Sequence, residues 1–198
     1  MEIYYIGGSP CSGKSTVAEA LSEQYGLAYF KVDDYLEDFI SQGAEAGLPV
    51  CRRILRMSAD ENWLRPPQLQ CREEFDFYAE IAPFVTETLA SLTAPRVIAE
   101  DAAFLPRLMK DAAHYIAVTP SREFQISQYN QRPWVPHVLR DCSDKELAFA
   151  NWMERDALFA EEVRRQCMQL GLPHLLMDGS VSPKERLRQV ASLFRLDG

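Results

Sequence analysis

Short apolar runs bounded by turn residues read as buried strands, and apolar residues three and four apart read as one face of a helix. The first rule finds five strands, at residues 2–6, 28–32, 96–100, 114–119 and 174–178. The second finds a helix over Lys14–Tyr25, with Val17, Ala20 and Leu21 on one side and Gly26 where a C′ glycine would close it. Two late helices carry start signals. Ser143 with Glu146, and Ser182 with Glu185, fit capping boxes, and Pro183 suits a first helical position. The earlier one reaches Leu170, stopped by Gly171 and Pro173, and buries Phe149, Met153, Ala157, Ala160 and Cys167. The later one buries Leu187, Val190, Ala191 and Phe194. Pro106 opens a helix after the third strand. Strand–helix alternation of this kind predicts an α/β fold, a five-stranded parallel sheet between helical layers.

The gap between strands two and three is too long for one crossover helix. It reads as helices near 34–42 and 45–57, a loop at 63–71, and a helical stretch at 72–92 broken in two at Pro83. Residues 35–92 thus form a helical cap over one end of the sheet. Residues 121–140 are placed like a lid. At 198 residues the chain is one domain, residues 1–198, with the cap as an insertion.

Charge and cysteine content narrow the function. The net charge of −8 disfavours non-specific nucleic-acid or membrane partners. No apolar stretch approaches the roughly 20 residues of a membrane span, and the N-terminus lacks the pattern of a signal peptide. Five widely spaced cysteines, none in a C-x-x-C pair, read as reduced thiols of a cytoplasmic protein.

The chemistry concentrates in Gly8-Ser9-Pro10-Cys11-Ser12-Gly13-Lys14-Ser15, which satisfies G-x-x-x-x-G-K-[ST] between a strand and a helix, with Thr16 following. Gly8 and Gly13 allow the loop to turn its amides inward onto phosphate oxygens. The helix N-terminus favours the same anion. Lys14 reaches the β and γ phosphates, and the Ser15 hydroxyl ligates Mg²⁺.

Strand two ends in Val32-Asp33-Asp34, on the ligand side of a parallel sheet. Asp33 can accept a proton from an attacking hydroxyl, whereas Asp34 is equally well a helix cap. Strand three ends in Glu100-Asp101, and either acid could reach Mg²⁺ through water. Phosphoryl transfer needs cations around the moving group, which points to Arg122 and Arg132 at the lid. Arg140 is a further cation there. Arg155 is a candidate for packing on adenine. In the cap, Trp63 beside Arg52, Arg53, Arg56 and Arg65 could read an aromatic or anionic substrate, or the arginines could be a solvated face. His114, His137 and His174 have no partner at metal or triad spacing.

On the phosphate loop, the Val32-Asp33 end of strand two and the lid arginines, the chain resembles the P-loop kinases of the nucleoside-monophosphate-kinase-like group, which includes shikimate and gluconate kinases and chloramphenicol phosphotransferase. The resemblance implies a three-layer sandwich, ATP and Mg²⁺ as cofactors, and a small-molecule acceptor. Phe30-Lys31-Val32-Asp33 is similar to the segment by which chloramphenicol phosphotransferase presents an acid to the substrate hydroxyl, which implies Asp33 as base. Two departures from shikimate kinase stand out: the acids at 33 and 34 are adjacent, and its Gly-Gly-Gly substrate loop is missing. A GTPase is excluded by the lack of an Asn-Lys-x-Asp guanine reader. A nucleoside or nucleotide kinase and a non-catalytic nucleotide-binding module remain as alternatives. The acceptor, the preferred base and the oligomeric state stay open.

Overall fold

In a computed structural model, which describes residues 1–196, the five strands form one parallel sheet. They are β1 (Glu2–Gly8), β2 (Ala28–Lys31), β3 (Arg96–Glu100), β4 (Tyr115–Pro120) and β5 (His174–Met177), in spatial order β2-β3-β1-β4-β5. All four pairings are parallel. The chain leaves β1 toward β2 on one side and later returns to place β4 on the other. The order therefore switches at β1, and a crevice opens beyond its carboxyl end.

Alternation along each strand feeds two cores. Tyr4, Ile6, Ile98, Ile116 and Val118 pack on α1 (Lys14–Tyr25) and α9 (Pro183–Phe194). Val97, Ala99, Tyr115 and Ala117 face α5 (Pro67–Ala90) and α8 (Lys145–Leu170) through Ile81, Phe159 and Val163. β4 is buried along its whole length, while the edge strand β5 is largely half-buried. No described helix is long and apolar enough to cross a membrane, and all five cysteines are free and buried.

The segment between β2 and β3 holds a 3-10 turn (Val32–Tyr35), α2 (Leu36–Glu45), α3 (Pro49–Ile54), α4 (Ala59–Trp63) and then α5. Three expectations change here. The helix expected over 45–57 is interrupted, because Gly47 takes φ +89 and Leu48, which precedes a proline, is extended. The loop expected at 63–71 is the end of α4 and the first turn of α5. The 72–92 stretch is part of one helix, unbroken at Pro83. Pro83 and Ala79 both lie on the exposed side, so the carbonyl that loses its donor is solvated. The inner stripe Phe77, Ile81, Val85 and Leu89 continues past it.

Two further boundaries differ. Residues 101–113 form turns, with no helix at Pro106; Asp101 accepts from the Ala103 amide at 2.7 Å, and the Tyr115 hydroxyl donates to the Phe104 carbonyl at 3.0 Å. α8 is capped by Asp144, which accepts from the Leu147 amide at 3.0 Å, because the Ser143 amide instead donates to Asp60. The buried stripe of α8 is rotated by one residue from the expected one. Trp152, Asp156, Phe159 and Val163 join Met153, Ala160 and Cys167, while Phe149 and Ala157 are half-buried. The α9 cap is as expected, with Ser182 accepting from Glu185. Between β4 and α8 lie α6 (Arg122–Asn130) and α7 (Val135–Val138).

Candidate active site

Residues 8–15 connect β1 to α1 at the switch point. Gly8 has φ +127, and a Cβ there would stand 1.9 Å from the Val118 carbonyl oxygen, so only glycine fits beside β4. Gly13 caps α1 at φ +78, with no side chain on the helix amides and no acid in the first turn. Cys11 also takes a left-handed φ of 59, a strained angle for a side-chain-bearing residue. It is pinned there by packing against Trp63, Tyr129 and Trp152, which nothing in the local sequence signals. Ser9 and Ser12 are buried, and neither hydroxyl has a protein partner. The Lys14 ammonium, also buried, donates to the Ser9 carbonyl at 2.8 Å. Pro10 completes the bend, and Ser15 and Thr16 stand half-buried and exposed on the first turn of α1. The uncapped N-terminus of α1, two orphan hydroxyls and a cation around one bend make a cradle for a polyphosphate.

Asp33 lies in the 3-10 turn after β2, with its side chain 58% exposed and 3.7 Å from the Lys31 ammonium. Asp101 is buried just beyond β3. Burial raises its pKa, the Asp33 charge raises it further, and the Lys14 ammonium and the Ala103 amide pull it back. Lys14, Asp33 and Asp101 therefore share one electrostatic neighbourhood. Glu100 points to the other side of the strand and accepts from the Tyr29 hydroxyl at 2.9 Å. Of the two acids that end β3, Asp101 is the one beside the loop.

The predicted arginines separate. Arg122, at the start of α6, is exposed and pairs with Glu154 at 2.5 Å. Arg132 lies over the rings of Tyr129 and Trp134, at 5.5 and 5.4 Å, near enough to Cys11 to act on its thiol. Arg140 pairs on the surface with Asp141. Arg155, expected on an adenine, stacks on the Trp63 ring at 5.1 Å. Two carboxylates hold it inward, Glu74 at 3.0 Å and Asp156 at 2.6 Å.

A cavity of about 460 Å³ opens among α2, α3, α4 and α5, bounded by Val138 of α7. Its walls are apolar at Leu36, Ile40, Val50 and Phe77 and polar at Arg53, Arg65, Glu73 and Glu74. None of residues 8–15 lines it, but its Glu74 lies within electrostatic range of Lys14, and its Tyr78 within range of Asp33 and Asp101. Glu73, Glu74, Gln70 and Asp156 escape the sequence reading. Their only local signal is polarity on an otherwise apolar helix face. A larger cavity, about 660 Å³, lies between α5 and α8 and shares no lining residue with the first.

Burial and the nearby Asp156 push the Glu74 carboxyl up from 4.5 to about 7, against the pull of Arg155. A raised folded-state pKa means that the native protein holds a proton that the unfolded chain has released. Stability from this group is full below about pH 4.5 and is lost as pH rises through about 7. Urea unfolding from pH 5 to 8 is expected to show a smaller fall in stability for Glu74→Gln than for the parent, by up to about 1.4 kcal/mol per pH unit. Parallel profiles would remove Glu74 as the source.

No protein-family model matches the sequence, and no curated protein is significantly similar to it. Solved structures are similar at the level of fold. Deoxyadenosine kinase from M. mycoides with bound dATP superposes with a TM-score of 0.54 at 16% identity, over 100% of both chains. Shikimate kinase from Acinetobacter baumannii in complex with shikimate gives 0.51 at 16%, over 99% of this chain and 93% of that one. Shikimate kinase from Aquifex aeolicus gives 0.50 at 17%, over 100% and 98%. With a glycine-flanked loop at the switch point of a five-stranded parallel sheet, and whole-chain superposition on these structures, the chain shares their α/β fold.

Proposed function

We propose that this chain is a cytoplasmic, ATP- and Mg²⁺-dependent phosphotransferase that moves the γ-phosphoryl group to a hydroxyl of a small molecule held in the cap cavity. One observation supports the reading: the bend, whose Lys14 shares an electrostatic neighbourhood with Asp33 and Asp101, lies near a cavity of small-molecule size. A loop that merely stored a nucleotide would need no such cavity.

The residues divide the work. The backbone amides of residues 11–15 and the Ser9 and Ser12 hydroxyls bind the donor phosphates. Lys14 leaves its resting bond to the Ser9 carbonyl and stabilises charge that develops on the phosphoryl oxygens. Ser15 and, through water, Asp101 would hold Mg²⁺, which would supply positive charge against the donor phosphates. Asp33 orients the acceptor hydroxyl and takes its proton as the new O–P bond forms and the bond to the ADP leaving group breaks. Arg122 and Arg132 on α6 and the turn after it close over the site and exclude water. Arg155, tied to Trp63 and Glu74, fixes the wall between loop and cavity, and is nearer to the acceptor than to an adenine.

The test is direct. Incubation with γ-labelled ATP, Mg²⁺ and a metabolite extract is expected to yield a labelled small molecule faster than free phosphate. Tight binding of MgATP with no labelled product from any fraction would favour the non-catalytic module instead.

A further inference from the structure

The bend between β1 and α1 alternates in hand. Cys11 has φ 59 and Gly13 φ 78, while Ser12 between them keeps an ordinary negative angle. The ring of Pro10 fixes a negative angle before them. Alternating hand turns successive backbone N–H groups toward one side and makes a concave site for an anion. Gly13 supplies its part without steric cost. Cys11 does not, since a residue with a side chain disfavours the left-handed angle by about tenfold. Among the described residues the other non-glycine at such an angle is Arg195, at the C-terminus of α9, where a left-handed residue is ordinary.

A strained angle persists only where its surroundings impose it. Those of Cys11 are aromatic. It lies in one buried cluster with Trp63, Tyr129 and Trp152, which come from α4, α6 and α8. Trp152 is the hub, with ring centroids 4.7 Å from Trp63 and 4.9 Å from Tyr129. Its indole Nε1 is buried without an acceptor. The ring is therefore placed for its faces and not for a hydrogen bond.

Polar ties on both sides of Trp152 keep the cluster closed. The Asn151 amide group donates to the Trp63 carbonyl at 3.0 Å, and that of Gln125 to the Met153 carbonyl at 3.1 Å. The Tyr129 hydroxyl donates to Asp156 at 2.7 Å, and lies close enough to Cys11 for the thiol to act on its ionisation. One turn of α8 thus fixes a ring of the cap and a ring of α6 around the cysteine.

We infer that Trp152, with Trp63 and Tyr129, is a positioning residue of the phosphate loop: the ring cluster holds Cys11 at its left-handed angle and so keeps the loop amides aimed at one point before the phosphates arrive. The inference deepens the phosphotransferase reading, which assigns this loop to the donor. It makes donor affinity depend on three side chains that touch no donor atom. It also ties the loop to the cap through Trp63 and to the α6 segment through Tyr129.

Calorimetric titration of the full chain with MgADP, beside urea unfolding, tests this. Trp152→Leu is expected to weaken MgADP binding about tenfold, the population cost of an unsupported left-handed residue. Adding Cys11→Gly to Trp152→Leu should restore affinity to within about threefold of the parent, because glycine takes that angle freely. Urea unfolding should show that the stability lost in Trp152→Leu does not return with it. A ring that only fills the core would give no such rescue. Should Trp152→Leu fail to fold, Trp152→Phe keeps an aromatic face, and a weakening of about threefold, erased by Cys11→Gly, is expected in its place. Affinity unmoved in whichever Trp152 variant folds, or lowered and not restored by Cys11→Gly, overturns the inference. A parent chain that does not bind MgADP overturns it together with the reading of the loop. MgADP binding with the rescue but without label transfer removes the phosphotransferase alone.

Discussion

Lys14→Ala is expected to lower ATP-dependent phosphoryl transfer about a thousandfold, the scale lost when a preorganised charge on a transition state is removed. The ammonium is already inside the bend, buried and donating to the Ser9 carbonyl, with no carboxylate ion pair to break. Its removal costs the fold one hydrogen bond, about 1 kcal/mol, while the transferring group loses its nearest protein cation. The thermal midpoint should therefore move little while kcat collapses. Lys14→Arg should also fail, since a planar fork does not replace a compact ammonium in a bend this tight. Full turnover in Lys14→Ala would leave only the fold standing.

The parts of this molecule that were legible in its sequence are those set by local rules. Strand positions followed from apolar runs because β1, β3 and β4 are buried on both faces and tolerate little else. The bend at 8–15 followed from its glycines. The misses have a common cause, which is that tertiary surroundings decided them. Pro83 stays inside α5 because the Ala79 carbonyl it leaves without a donor lies on the exposed side, a fact about the neighbours of the helix. Asp144 rather than Ser143 caps α8 because Asp60, more than 80 residues away, takes the Ser143 amide. The strained Cys11 is held by rings from α4, α6 and α8. Glu73, Glu74 and Asp156 acquire meaning only when α3, the turn before α5 and α8 bring arginines to them. Their pairing with these arginines is something periodicity does not encode.

The second large effect is expected at Asp33, the acid proposed to meet the acceptor hydroxyl. Asp33→Asn is expected to lower kcat by about a hundred- to ten-thousandfold, the range for loss of a positioned general base. The dissociation constant for MgATP should hold within about twofold, because ligand and loop contacts are untouched. The side chain is suited to this separation of effects. It is more than half exposed, its one ion pair is with Lys31 at 3.7 Å, and no fold element depends on it. Loss of its charge also relieves Asp101, whose pKa it raises. The acid limb of the pH–rate profile should then shift to lower pH along with the fall in kcat, a coupling that a merely structural residue would not produce. Asp34→Asn serves as the control. Asp34 is exposed in the same turn, and its replacement should leave turnover unchanged. If Asp33→Asn and Asp34→Asn prove equally mild, the proton leaves by another route and the acid at the end of β2 only steers the acceptor. If MgATP affinity falls as far as kcat, Asp33 is part of the donor site, and the division of labour between β2 and the loop is wrong.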